Sequence, residues 1–174
     1  MFIWTAIDVN KQLCDIRKRI TELPYAPNPC LTLPLHVSLK ISFEVEDRIS
    51  DVVIQAIAEY LSSQSPFLLR THEIECYTRV TWISIHPSMM LEDLHHGLDH
   101  IMESCFGIQP HEFDRAFRYH ASLYYADDGK HVQEAYQILK DISVPEQLLA
   151  DTFVIGVSES GVAGTYHVIK TISV

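Results

Sequence analysis

The chain has 174 residues, 47% hydrophobic and 21% charged, enough to bury a sizeable core and too well mixed for a disordered or low-complexity protein. Its formal charge of −10 repels long polyanions and disfavours a broad nucleic-acid-binding surface, while a small phosphorylated ligand held by a few local cations stays compatible with it. No apolar run approaches the roughly 20 residues of a membrane span, and Cys14, Cys30, Cys76 and Cys105 form no C-x-x-C pair, which reads as reduced thiols in a cytoplasmic protein.

The opening "MFIWTAIDVN" lacks a basic leader and carries Asp8, so residues 2–9 are expected to form a first strand and not a signal peptide. Asn10 is expected to cap a helix over "KQLCDIRKRITEL", and the proline-rich "LPYAPNPCLTLP" is expected to be loop. Residues 35–43 read as a second strand. In "EVEDRISDVVIQAIAEYLSS", Ile49, Val52, Val53, Ala56, Ile57 and Tyr60 recur at the helical period.

Two consecutive strands follow, "FLLRTHEIECYT" and "RVTWISIHP", then a helix "SMMLEDLHHGLDHIMESCF" capped at Ser88. Past a loop with Gly107 and Pro110, "FRYHASLYYA" is a strand and "DDGKHVQEAYQILKDI" a helix. "LLADTFVIGVSES" and "TYHVIKTISV" close the chain as strands around the turn "SGVAG". The order β-α-β-α-β-β-α-β-α-β-β repeats itself in outline, which predicts an α+β fold over residues 1–174 as a single domain: two pseudo-symmetric β-sheet lobes with outer helices and a central cleft.

Each half holds one H-x-S-L strand. Strand side chains alternate with period two, so His36, Ser38, Lys40 and Ser42 share one face of the first, with Val37, Leu39, Ile41 and Phe43 on the other. The second strand places Arg118, His120, Ser122 and Tyr124 together in the same manner. The apolar faces suit packing on helices; the polar faces are expected to line one shared cleft. His86-Pro87-Ser88 has the same spacing but is set apart, because Pro87 interrupts a strand and Ser88 is better placed as a helix cap. Asp93, His96 and His100 share a helical face, and the expectation there is a solvated polar surface and not a metal site.

With "HVSLK" at 36–40, "HASLY" at 120–124 and the closing "GTYHVIKTISV", the chain resembles the 2H phosphoesterase superfamily, in particular its RNA 2′,5′-ligase and cyclic nucleotide phosphodiesterase branch. The resemblance spans nearly the whole chain. It implies a bilobal fold in which His36 and His120 face one another as catalytic groups working without a metal or other cofactor, with Ser38 and Ser122 holding the phosphate. Lys40 matches a position that is often lysine in the family. No proline precedes His120 and no arginine follows Leu123, so the substrate-side contacts of the best-known members do not carry over.

The chemistry of the residues fits that implication, since two imidazoles with ordinary pKa near 6.5 supply a neutral base and a protonated acid together. One activates water, the other protonates the leaving ribose oxygen, and the serine hydroxyls donate to the non-bridging phosphate oxygens. Lys40 and Arg118 are candidates for offsetting phosphate charge, and Tyr124 for stacking on a base. The expected activity is hydrolysis of a 2′,3′-cyclic phosphate or related nucleotide cyclic phosphodiester, on a small nucleotide or a short RNA end. The alternatives are RNA 2′,5′-ligation, an idle nucleotide- or phosphate-binding module suggested by the missing arginine, and an interaction domain whose histidines are structural.

Overall fold

The computed structural model describes residues 1–25 and 28–174; of the loop expected over 23–34, Ala26 and Pro27 lie outside the described residues. The elements are β1 (Phe2–Asp8), α1 (Cys14–Thr21), β2 (His36–Ser38), β3 (Phe43–Glu44), α2 (Asp47–Ser62), β4 (Phe67–Cys76), β5 (Val80–Ile85), α3 (Met89–Phe106), β6 (His120–Tyr125), α4 (Gly129–Leu139), β7 (Gln147–Ala150), β8 (Thr152–Ser158) and β9 (His167–Ser173), with short 3₁₀ turns at Pro29–Leu31 and Glu112–Ala116. The strands run side by side in the order β7-β4-β5-β6-β2-β1-β8-β9, with β3 pairing to β1.

All these pairings are antiparallel. The two halves, β7-β4-β5-β6 and β2-β1-β8-β9, meet where β2 pairs β6 through Val37 and Ala121. α2 packs on β8 and β9, α4 on β4, β5 and β6, and α1, which follows β1, reaches across onto β6. Ile3, Ile7, Val37, Leu39, Ile83, Ala121 and Leu123 are buried in the main core, consistent with the alternation expected for both H-x-S strands.

Three predicted elements divide differently. The strand expected over 35–43 stops at Ser38 and resumes as β3, which pairs to the start of β1. The strand expected over 148–160 breaks at Asp151: β7 joins β4 in one half, and β8 joins β1 in the other. A continuous apolar run cannot disclose that its two parts bond to different partners. Asn10 does not cap α1, which begins at Cys14 after Leu13 with no side-chain cap; its Oδ1 accepts the Leu35 N–H at 3.2 Å and so ties the entrance of β2 to the exit of β1. Ser88 does cap α3, accepting from the Leu91 N–H, and Gly107 ends that helix at φ 69°, where a side chain would be strained.

Candidate active site

His36 and His120 rise from adjacent strands. Because Val37 opposes Ala121 in the antiparallel register, His36 stands opposite Ser122 and Ser38 opposite His120, a local two-fold centred on the Val37–Ala121 pair. The floor of the cleft is therefore β2 and β6 themselves. A cavity of about 320 Å³ opens above it, lined among others by Trp4, His36, Ser38, His120, Ser122 and Tyr125.

The surroundings of the two imidazoles repeat. The ring nitrogen Nδ1 of His36 lies 2.7 Å from the Pro34 carbonyl, and that of His120 lies 2.7 Å from the Arg118 carbonyl. A carbonyl oxygen only accepts, so both Nδ1 atoms carry the proton, and each neutral ring keeps its lone pair at Nε2. Each ring also rests on an indole from the flanking strand: Trp4 of β1 meets His36 edge-on at 4.4 Å, and Trp82 of β5 stacks on His120 at 4.1 Å. These tryptophans are the only two in the sequence, and neither is among the expected site residues. The signal for them is the single tryptophan on a strand preceding each H-x-S strand.

Ser38 has its own orientation device. The Trp4 indole Nε1–H donates to Ser38 Oγ at 3.1 Å, which occupies an acceptor lone pair and leaves the hydroxyl proton free to donate into the cavity. Burial pushes His36 down to about 4, assisted by the neighbouring His120 charge and opposed by the Pro34 carbonyl. Burial also lowers His120, but there the Arg118 carbonyl and the Glu75 carboxylate favour the cationic form. The two imidazoles are thus symmetric in place but differ in their surroundings, a carboxylate standing near His120 alone.

Of the other expected residues, Lys40 also borders this cavity, but it is buried, and its ammonium is held by Asp99 and, at 2.8 Å, by Asp114. Asp114 also accepts the Ile41 and His111 N–H groups at 2.9 and 2.8 Å. The Lys40 charge is therefore already compensated by two carboxylates, brought from α3 and the 3₁₀ turn across 59 and 74 residues. Arg118 lines a different, neighbouring cavity, where its Nη1 donates to Tyr77 Oη at 3.0 Å.

Tyr124 is not on the cleft face. The β5–β6 register pairs Trp82 with Ser122 but Thr81 with Tyr124, so Leu123 is an extra residue that turns the strand over. Tyr124 consequently packs with Val132 and Ala135 under α4, and Tyr125 takes the place in the cavity lining. On α3, Asp93, His96 and His100 are exposed. A different trio, His95, His96 and Asp99, has ligand atoms within 4.8 Å of one another, but both ring nitrogens of His95 lie against backbone carbonyls, Leu39 O at 2.7 Å and Asp114 O at 3.0 Å.

Residues 12–161 match the sequence profile of the 2'-5' RNA ligase superfamily. The chain belongs to that superfamily. Solved structures of like fold include LigT of E. coli complexed with NADP+, 19% identical over 99% of this chain and 96% of that one at a TM-score of 0.62. TT0787 of Thermus thermophilus is 17% identical over 99% and 97% at 0.64, and Usb1 of Kluyveromyces marxianus is 13% identical over 99% and 98% at 0.52. No curated protein matches the sequence. Membership of the superfamily supports a phosphoesterase-type function, and the LigT likeness bears out the bilobal α+β fold. Among the described residues, no helix is long and apolar enough to cross a membrane.

Proposed function

We propose that the protein is a phosphoesterase that opens a 2′,3′-cyclic phosphate, or a related nucleotide cyclic phosphodiester, by acid/base catalysis between His36 and His120. The observation that carries this reading is the pair of imidazoles locked by backbone carbonyls in the same tautomer, with Nε2 unclaimed among the described residues, over one cavity with two serines. The neutral His36 takes a proton from water at Nε2 as the water oxygen bonds to phosphorus. The bond from phosphorus to one ribose oxygen breaks, and that oxygen receives the Nε2 proton of cationic His120.

Ser38 donates to a non-bridging oxygen, and Ser122 stands opposite to do the same. The acid role falls to His120 because Glu75 favours its charged form, whereas His36 stays neutral far into the acid range. The phosphate itself favours protonation of a nearby imidazole, so bound substrate supplies part of what the acid needs. Both proton transfers have a residue in place, so the proposed sequence calls for no metal. A ribose 5′-hydroxyl in the position of the water would give 2′,5′-ligation by the same transfers; the charge of −10 favours water and short substrates over long RNA ends.

The test is incubation with a panel of 2′,3′-cyclic nucleotides in EDTA, followed by phosphorus NMR. A single phosphomonoester, on either the 2′ or the 3′ oxygen, is expected. Unchanged cyclic phosphate across the panel would reject this substrate class.

A further inference from the structure

Beside the histidine cavity lies a second one, of about 280 Å³, lined among others by Glu75, Tyr77, Trp82, Ser84, Phe117 and Arg118. Phe117 borders both cavities. The two are also joined by a ladder of rings: Tyr77 lies 4.2 Å from Trp82, and Trp82 lies 4.1 Å from His120. The outer rung, Tyr77, is 37% exposed.

Tyr77 is held in place by a polar chain. Arg118 donates to its hydroxyl at 3.0 Å, and the hydroxyl donates to Glu75 at 2.7 Å. The second Glu75 oxygen accepts from Ser84, and this bond above all holds the Glu75 carboxyl below the usual carboxylate range. An exposed cation, a fixed aromatic surface and an ionised carboxylate therefore surround a space that opens next to a candidate catalytic ring. Aromatic faces bind bases of any sequence, a guanidinium suits phosphate, and a carboxylate accepts from base N–H groups.

We propose that this cavity is a subsite for the nucleotide adjoining the one that carries the reacting phosphate. The adjoining base lies against the exposed ring of Tyr77, which Trp82 backs from the other side, and Arg118 meets the phosphate between the two nucleotides. With a formal charge of −10 on the whole chain, the ligand it fits is a dinucleotide or another short end, not a long polyanion. This proposal rests on the phosphoesterase reading for the chemistry but not for the binding.

The experiment compares kcat/KM for a dinucleotide ending in a 2′,3′-cyclic phosphate with that for the cyclic mononucleotide, in the natural protein and in Tyr77→Ala and Arg118→Ala. Both side chains are exposed, and the Arg118 carbonyl that orients His120 survives its substitution. The dinucleotide is expected to be preferred about tenfold or more, with that ratio falling towards one in each variant. In parallel, tryptophan fluorescence is titrated with an unreactive dinucleoside monophosphate and with a mononucleotide. Tighter dinucleotide binding that Tyr77→Ala abolishes supports the subsite even if no cyclic phosphate is turned over. Equal handling of the two lengths by the natural protein, or variants that leave the preference intact, would overturn it.

Discussion

Replacing Lys40 by Met separates a role in the fold from a role at the phosphate. Met fills most of the space of the lysine stem but removes the ammonium, leaving Asp99 and Asp114 facing one another. Lys40 and Asp114 are almost fully buried, 2% and 4% exposed. Removing one partner of a buried ion pair costs about 3–5 kcal/mol, and at about 2–4 °C per kcal/mol for a chain of this size the melting temperature should fall by about 6–20 °C.

The loss should also depend on pH. Burial pushes the Asp114 carboxyl upward, but the Lys40 ammonium and the Ile41 and His111 N–H groups outweigh this and hold it below its ordinary value. A depressed carboxyl stabilises the fold above its unfolded value of about 3.9, and that contribution disappears as pH falls through the lower folded value. The deficit of Lys40→Met should therefore be full at pH 7 and shrink below about pH 4. Urea or thermal melts across pH 3–8 read it directly. A variant as stable as the natural protein, with a raised KM, would refute this reasoning and give the ammonium to the substrate.

Because both histidines titrate below 6.5 in the free protein, kcat/KM should be bell-shaped, declining as His36 is protonated near pH 4 and again as His120 loses its proton below 6.5; a maximum above pH 7.5 contradicts the acid and base roles. Bound phosphate should move the upper limb of kcat to higher pH than that of kcat/KM. A Cβ at Gly156 would come within 2.6 Å of the Trp4 ring, so Gly156→Ala should shift the indole that abuts His36 and orients Ser38, lowering kcat about tenfold or more with the fold retained; wild-type kcat would show that Trp4 does not position the pair. Thr5 Oγ1 is buried without a hydrogen-bond partner among the described residues, so Thr5→Val should raise stability by about 1 kcal/mol in a denaturant melt, and a clear loss would mean the hydroxyl is satisfied in solution.

How much of this was legible in the sequence follows the range of the interactions. The H-x-S strands, the helices and the bilobal order rest on local periodicity, and Val37, Leu39, Ala121 and Leu123 turn inward as period two requires. Period two fails at Tyr124, since the extra residue at Leu123 exists only in pairing with β5. The two carboxylates that pair with Lys40 are invisible in the sequence because Asp99 and Asp114 are remote from it along the chain. The break at Asp151 is hidden for the same reason: strand partners in different halves leave no mark on a continuous apolar run. The indole supports are local, one tryptophan on the strand beside each motif, but only the β1-β2 and β5-β6 pairings show that the rings meet.

The central claim is that His36 and His120 work as a base and an acid on one phosphate. The direct measurement is single-turnover hydrolysis of a 2′,3′-cyclic nucleotide in EDTA by His36→Ala and by His120→Ala, each confirmed folded, beside the natural protein. The account predicts that each substitution removes at least about a hundredfold in rate, and that each variant loses the limb of the pH profile belonging to the missing imidazole. Full turnover in either variant would contradict it.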